Sequence, residues 1–243
     1  MRRRFFVDQL FVGRSAFIEG DTAHHLGRVL RAQPGQLYEL SDGIAVWLGR
    51  IESVSRDRIE FVLLEEIPSP QPAINIILLL SIVKFDAFEW ALEKATELGV
   101  AMIAPVAAAR SEKSLLAAAN KRADRWQKIL VEASQQSRRV RVPVLSAPLQ
   151  PDRAFREAYG LGAKLLLSER SEAPPLRVTL SSTSVSEATL AIGPEGGWTD
   201  EELATARENG FQFVSLGAAL LKAETGAIVG AALIRYEFDH KRG

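Results

Sequence analysis

Residues 190–234 read LAIGPEGGWTDEELATARENGFQFVSLGAALLKAETGAIVGAALI, and the architecture follows from them. The apolar run Leu190–Ile192 has the composition of a buried strand. It discharges into Gly193-Pro194-Glu195-Gly196-Gly197, three glycines in five residues around one carboxylate. Glycine tolerates positive φ and lets backbone N–H and C=O groups come close to a ligand. Thr199 with Glu202 three positions on is a capping box, so a helix should start there and run to about Asn209-Gly210. Phe211–Leu216 reads as a second strand, Gly217–Thr225 as a second loop, and a further helix should begin near Glu224. Two strands that each end in a glycine-bearing loop at a helix start suit a ligand site at the carboxyl edge of a parallel sheet. The same glycines would also serve simple turns.

Working outward toward the N-terminus, the pattern alternates. Ile74–Val83 is a continuous apolar run, as in a strand covered on both faces. Phe85–Leu98 places Phe88, Leu92 and Ala95 on one helical face, and Gly99 closes it. Ala101–Ala107 is the next strand, Ser111 to about Arg138 contains a long helix, Val142–Leu145 is a short strand, Pro151–Tyr159 a helix and Lys164–Ser168 a strand. This alternation predicts an α/β fold, a mostly parallel sheet between helix layers. The loops Leu167-Ser168-Glu169, Gly193–Gly197 and Leu216–Thr225 should meet at one edge of it.

Pro68-Ser69-Pro70-Gln71-Pro72 carries three prolines in five residues and reads as a stiff linker. It separates a domain at 1–70 from one at 73–243. Before it lie short strands at Phe5–Val7, Gln36–Leu40, Ile44–Glu52 and Ile59–Glu66, with a hairpin signal at Asp42-Gly43 and a short helix around His24–Leu30. A small β-barrel fits that pattern.

The chain has 243 residues, 47% hydrophobic and 25% charged, with thirty basic and thirty acidic side chains that cancel. No cysteine is present, which excludes disulfides, thiol catalysis and cysteine-based zinc sites. His24, His25 and His240 lack metal-ligand spacing, so no metal is expected. Ala73–Val83 falls short of the roughly 20 residues that span a bilayer, and MRRRFFVDQ lacks the apolar core of a signal peptide. A cytoplasmic protein is expected. Charge is nevertheless concentrated: Arg110–Arg141 holds nine basic residues against Glu112, Asp124 and Glu132. That is a candidate phosphate-binding face, read against the plain alternative of a solvated helix.

The wording of these segments resembles a known family. IGPEGG, the LG at 216–217 and LLKAETGA are similar to the C-terminal motifs of the SPOUT class of RNA methyltransferases. The match is closest to the RsmE-type family, which methylates N3 of one uridine in bacterial small-subunit (16S) rRNA. RRFF at 3–6, HHLGRVLR at 24–31, ELGV at 97–100, KRADRW at 121–126 and EASQQSRRVRVP at 132–143 extend the resemblance over both domains. It implies a trefoil-knotted SPOUT domain behind a PUA-like RNA-binding barrel, and a homodimer formed around the last helix. It implies S-adenosyl-L-methionine held by Leu167 and Ser168, by Ile192, Gly193, Pro194, Glu195, Gly196 and Gly197, and by Leu216, Gly217, Leu220, Leu221, Lys222, Glu224 and Thr225. RNA would meet Arg3, Arg4, His25, Arg28 and Arg31 in the first domain and Arg110, Arg122, Arg125, Arg138, Arg139 and Arg141 in the second. His24 and His25 could equally be structural.

Uracil N3 carries a proton and is a poor nucleophile until that proton leaves. The site should therefore offer a base or a cation for the developing anion. Glu195 is the best-placed carboxylate, and Arg139 and Lys222 are the candidate cations. The family loop usually has two arginines where this chain has Ala219 and Lys222, and lysine lacks the planar fork for bidentate contacts. Gly226 and Gly230 share a helix face and would permit a close helix–helix approach, or ordinary tight packing. Two other readings compete: a SPOUT ribose 2′-O-methyltransferase and a non-catalytic RNA-binding assembly factor. LLKAETGA lacks the asparagine- and serine-rich ending of the first. A dinucleotide-binding oxidoreductase is disfavoured because no GxGxxG follows a strand.

Overall fold

The structure is a computed structural model, and it describes residues 3–7, 14–158, 162–169, 173–181 and 184–240. Tyr159, the expected end of a helix, lies outside the described residues. The chain divides into two compact units, Met1–Gln71 with Ser134–Val142, and Pro72–Ala133 with Pro143–Gly243. A boundary at the proline linker does not account for 134–142, which interrupt the second unit in sequence and pack with the first.

In the first unit, β1 (Arg4–Phe6), β2 (Ser15–Glu19), β3 (Leu37–Ser41), β4 (Val46–Val54) and β5 (Arg58–Glu66) form a five-stranded sheet in the order β1-β3-β4-β5-β2. All its pairs are antiparallel except β1 with β3. Among the described residues β1 and β2 are its two edges, so the expected barrel is a half-barrel. β2 was not expected, although Ala16 and Ile18 carry the two-residue period in a stretch only five residues long. The short helix appears as α1 (Gly20–His24) continued by a π-helical turn over His25–Val29. Leu26, Leu40, Ile51, Ile59 and Phe61 make the core of this unit. Asp42 holds the β3–β4 turn by accepting from the N–H groups of Ile44 and Ala45, at 2.9 and 2.8 Å.

The second unit is built on a six-stranded parallel sheet: β6 (Asn75–Ser81), β7 (Met102–Val106), β8 (Val144–Leu145), β9 (Ala163–Leu167), β10 (Glu187–Ile192) and β11 (Gln212–Val214). The order is β11-β9-β10-β6-β7-β8. Its helices are α2 (Phe85–Glu97), α3 (Lys113–Ala119), α4 (Ala123–Gln136), α5 (Pro151–Arg156), α6 (Leu176–Ser181), α7 (Asp200–Glu208) and α8 (Ala223–His240). The long helix expected over 111–138 is thus two helices joined by a 3₁₀ turn at Asn120–Arg122. α6 was not foreseen, being short and flanked by prolines and serines.

Strand side chains alternate between two buried faces, as a doubly covered sheet requires. Ile77, Leu79, Ala104, Val106, Leu166 and Ala191 enter the core shared with Phe155 of α5 and Leu203 and Ala206 of α7. The opposite face meets α8, which packs on β6, β10 and α2. α8 turns small side chains inward at Ala223, Gly226, Ala227, Gly230 and Ala231. A Cβ on Gly226 would lie 2.8 Å from Leu167, and one on Gly230 2.7 Å from Leu190. These two glycines therefore serve contact between helix and sheet within the chain, not the helix–helix approach their spacing suggested. Arg235 fastens the same helix by donating to the carbonyl oxygens of Ile74 and Gly99, both at 2.8 Å. Burial lowers the pKa of that guanidinium.

Candidate functional site

β10, β9 and β11 are parallel neighbours whose carboxyl ends are level, with Ala191 opposite Leu166 and Val214 opposite Leu167. The segments that leave them therefore converge. Ser168 follows β9 directly, buried, its N–H bonded to the carbonyl of Val214 at 3.0 Å. After β10 the chain makes a turn closed by the N–H of Gly197 on the carbonyl of Pro194, at 2.8 Å. Gly197 has φ +69°, and Gly217 in the third segment has φ +116°, both in the region that favours glycine. Ser215 stabilises that third segment by accepting from the N–H of Gly217, at 3.1 Å.

Together the three segments enclose a cavity of about 870 Å³. Leu167, Ser168, Ile192, Gly193, Pro194, Glu195, Gly196, Gly197, Leu216, Gly217, Leu220, Leu221 and Lys222, all assigned to the cofactor by the family resemblance, line it. Glu224 and Thr225 do not; they lie in the first turn of α8, beyond the wall. Trp198, Asp200 and Ser215 line it without having been foreseen, and so does Ala219 of the expected third loop, which had not been assigned to the cofactor. Adjacency to the glycine loops was the only signal for them.

Arg110 also lines the cavity, although the basic run in which it sits suggested an RNA contact. Its Nη1 donates to the carbonyl oxygens of Gly196 and Trp198, at 2.8 and 3.3 Å. A Cβ on Gly196 would come within 3.3 Å of the Arg110 Cβ, so the side chain lies flat against the glycine. A second latch is adjacent. Glu202 completes the expected capping box: its carboxylate accepts from the N–H of Thr199 at 2.7 Å, and the Thr199 hydroxyl accepts from the N–H of Glu202 at 3.2 Å. The other oxygen of Glu202 accepts from the N–H of Ala109 at 2.8 Å. The β7 loop and the glycine loop are thus tied at two successive residues.

The remaining basic residues are dispersed. Arg4 is buried, not available to RNA: it donates to Glu39 at 2.8 and 3.0 Å and to the carbonyl of Arg138. Arg138 approaches Glu39 at 3.7 Å. Arg122 and Arg125 bracket the buried carboxylate of Glu89 at 3.3 and 2.7 Å, and Arg122 also covers the Phe85 ring. Arg3, His25, Arg28, Arg31 and Arg141 are exposed, while Arg139 is half-buried. Glu195 and Lys222 are both exposed on the cavity wall. Arg139 is not among the lining residues and belongs to the segment that packs with the first unit. Among the described residues no group of three side chains suited to a metal converges.

A family model described as an RNA methyltransferase domain matches residues 69–235, and one described as an RNA methyltransferase PUA domain matches residues 18–64. The chain is 33% identical to the ribosomal RNA small subunit methyltransferase E of Synechocystis sp., over 87% of this chain and 69% of that protein. It is 32% identical to the protein of the same name from Mycobacterium bovis, over 95% of this chain and 90% of that one. Among solved structures it is similar to ribosomal RNA small subunit methyltransferase E from Neisseria gonorrhoeae bound to S-adenosyl methionine. The TM-score is 0.86 and the identity 31%, with 97% of this chain and 98% of that chain covered.

Proposed function

Because the chain belongs to the ribosomal RNA small subunit methyltransferase E family, we propose that it uses S-adenosylmethionine to methylate N3 of a uridine in 16S rRNA. The observation that carries this reading is the cavity at the carboxyl ends of β9, β10 and β11. Its volume lies within the roughly 300–1,000 Å³ of small-molecule sites. The chemistry of its walls suits the cofactor. Leu167, Ile192, Leu216 and Leu221 offer apolar surface for a flat base, and the glycine loops offer backbone donors and acceptors. Arg110, Lys222, Glu195 and Asp200 offer both charges for a zwitterionic amino acid end.

When bound, the cofactor supplies an electrophilic methyl group on a sulfonium sulfur. What the chain must provide is a fixed uracil whose N3 proton has somewhere to go. Glu195 is the carboxylate assigned to receive that proton or to orient the loop that does so. Lys222 is assigned to the negative charge that spreads over the uracil as the proton leaves. Arg139 is the second candidate cation for that charge. With Ala219 in place of an arginine, the RNA grip near Lys222 rests on a point charge without a planar fork.

The substrate is rRNA of the small subunit, bound in the cytoplasm by a homodimer. Exposed apolar side chains on α6 and α8, Val178, Leu233 and Tyr236, support the dimer. The test is mass spectrometry of nuclease-digested rRNA from a deletion strain. A base-methylated uridine should be missing, and the wild-type gene should restore it. A missing mark on a ribose would favour the 2′-O-methyltransferase reading. No missing mark, together with no S-adenosylmethionine binding by calorimetry, would favour a non-catalytic RNA-binding factor.

A further inference from the structure

Ser134–Val142 spans the end of α4 and the segment after it and packs as part of the first unit, held there at Arg138 and Val140. Arg4 on β1 donates to Glu39 on β3 through Nε and Nη2, and through Nη1 to the carbonyl oxygen of Arg138. Glu39 turns its other oxygen toward Arg138, 3.7 Å away. Ser41, two residues along β3, donates its hydroxyl to the carbonyl oxygen of Val140. The N–H of Arg139 bonds back to the carbonyl of Ser134 at 2.9 Å, the six-to-one bond of a Schellman cap. Arg138 takes the left-handed position of that cap, at φ 55°.

The carbonyl oxygens of Arg138 and Val140 are thus both gripped by β-sheet side chains. That fixes the peptide planes that lead into Arg139 and into Arg141, and with them the directions in which these two arginines leave the backbone. Arg4 and Glu39 are each 6% exposed. A buried ion pair is a poor source of stability, because desolvation offsets its attraction. The geometry it imposes is the better account of its presence.

We propose that Arg4, Glu39 and Ser41 are positioning residues, which set this strap so that Arg139 and Arg141 meet RNA in one orientation. The inference rests on the rRNA-methylation reading above. It also assigns Arg4 to presenting other arginines, after its burial removed it from the RNA surface.

The test uses full-length protein, small ribosomal subunits from the deletion strain, S-adenosylmethionine affinity by calorimetry, and thermal unfolding. Arg139→Ala/Arg141→Ala sets the reference split between kcat and KM for RNA. Arg4→Met/Glu39→Leu exchanges the buried pair for apolar side chains, a change that often leaves stability equal or higher. Ser41→Ala is the milder second variant. Both should stay folded and keep cofactor affinity within about twofold, yet reproduce the reference split, with kcat/KM down by about tenfold or more. Added to Arg139→Ala/Arg141→Ala they should cost nothing further, because they act through the same groups. Unchanged kcat/KM in the folded Arg4→Met/Glu39→Leu protein, or a loss that adds to the reference, overturns the inference alone. Normal methylation by Arg139→Ala/Arg141→Ala overturns the RNA role of those arginines and this inference with it.

Discussion

Arg110 Nη1 donates to the carbonyl oxygen of Gly196 across 2.8 Å, although 86 positions separate the two residues in the chain. The bond ties a residue from the basic run to the loop proposed to hold the cofactor. It also accounts for Gly196, since a Cβ there would press on the Arg110 side chain at 3.3 Å.

Arg110→Ala should therefore weaken S-adenosylmethionine binding, because two loop carbonyls lose a charged donor. The interaction is solvent-exposed, which limits the effect to about five- to tenfold in Kd. Arg110→Lys should recover part of it. Calorimetry of both variants decides the matter: if cofactor affinity is unchanged while the salt dependence of RNA binding weakens, Arg110 is a phosphate ligand after all.

Gly230→Val should destabilise the protein by about 1–3 kcal/mol, the usual cost of overpacking a filled core. Its added carbons would overlap the side chain of Leu190, which is fully buried. Gly226→Ala should act differently, since the side chain it meets is Leu167, part of the cavity wall. Reduced cofactor affinity should accompany a small change in stability there. Urea unfolding alongside calorimetry separates the two effects, and equal behaviour of both variants would be inconsistent with this geometry.

RNA affinity should fall steeply with salt, as counterions are released from phosphates. Arg122, Arg125 and Arg138 are engaged with Glu89 and Glu39, so they are poorer candidates for this than their sequence clustering implied. Lys121, Lys128 and Arg141 are exposed. Replacing these three with alanine should flatten the slope by about 0.7 for each phosphate that is no longer neutralised, and leave cofactor affinity intact. An unaltered slope would make the face one of plain solvation.

Tyr236→Glu should convert the proposed dimer to a monomer, by placing a charge on the apolar face of α6 and α8. Light scattering measures the mass directly. A wild-type protein that is monomeric at working concentration would remove the basis for a dimer at this face.

Local pattern alone predicted the parallel sheet, the capping box at Thr199 and Glu202, and the convergence of three loops. Each of these is written in short-range signals: apolar runs, a three-residue capping interval, glycines at strand ends. The family wording extended that reading to a methyltransferase over both domains. Tertiary structure decided what such signals do not carry. Gly226 and Gly230 share a helix face by their spacing, but only the path of β9 and β10 shows that Leu167 and Leu190 fill the space opposite. Arg4 and Arg110 look alike as members of basic runs. One is buried against Glu39 and the other lies along Gly196, because hydrogen-bond partners 35 and 86 positions away are chosen by chain topology. The same holds for 134–142, which interrupt the second unit in sequence and pack with the first through bonds to Arg4, Glu39 and Ser41. No periodicity marks such a crossing, since a few side-chain bonds to backbone carbonyls leave no repeating trace in the order of residues.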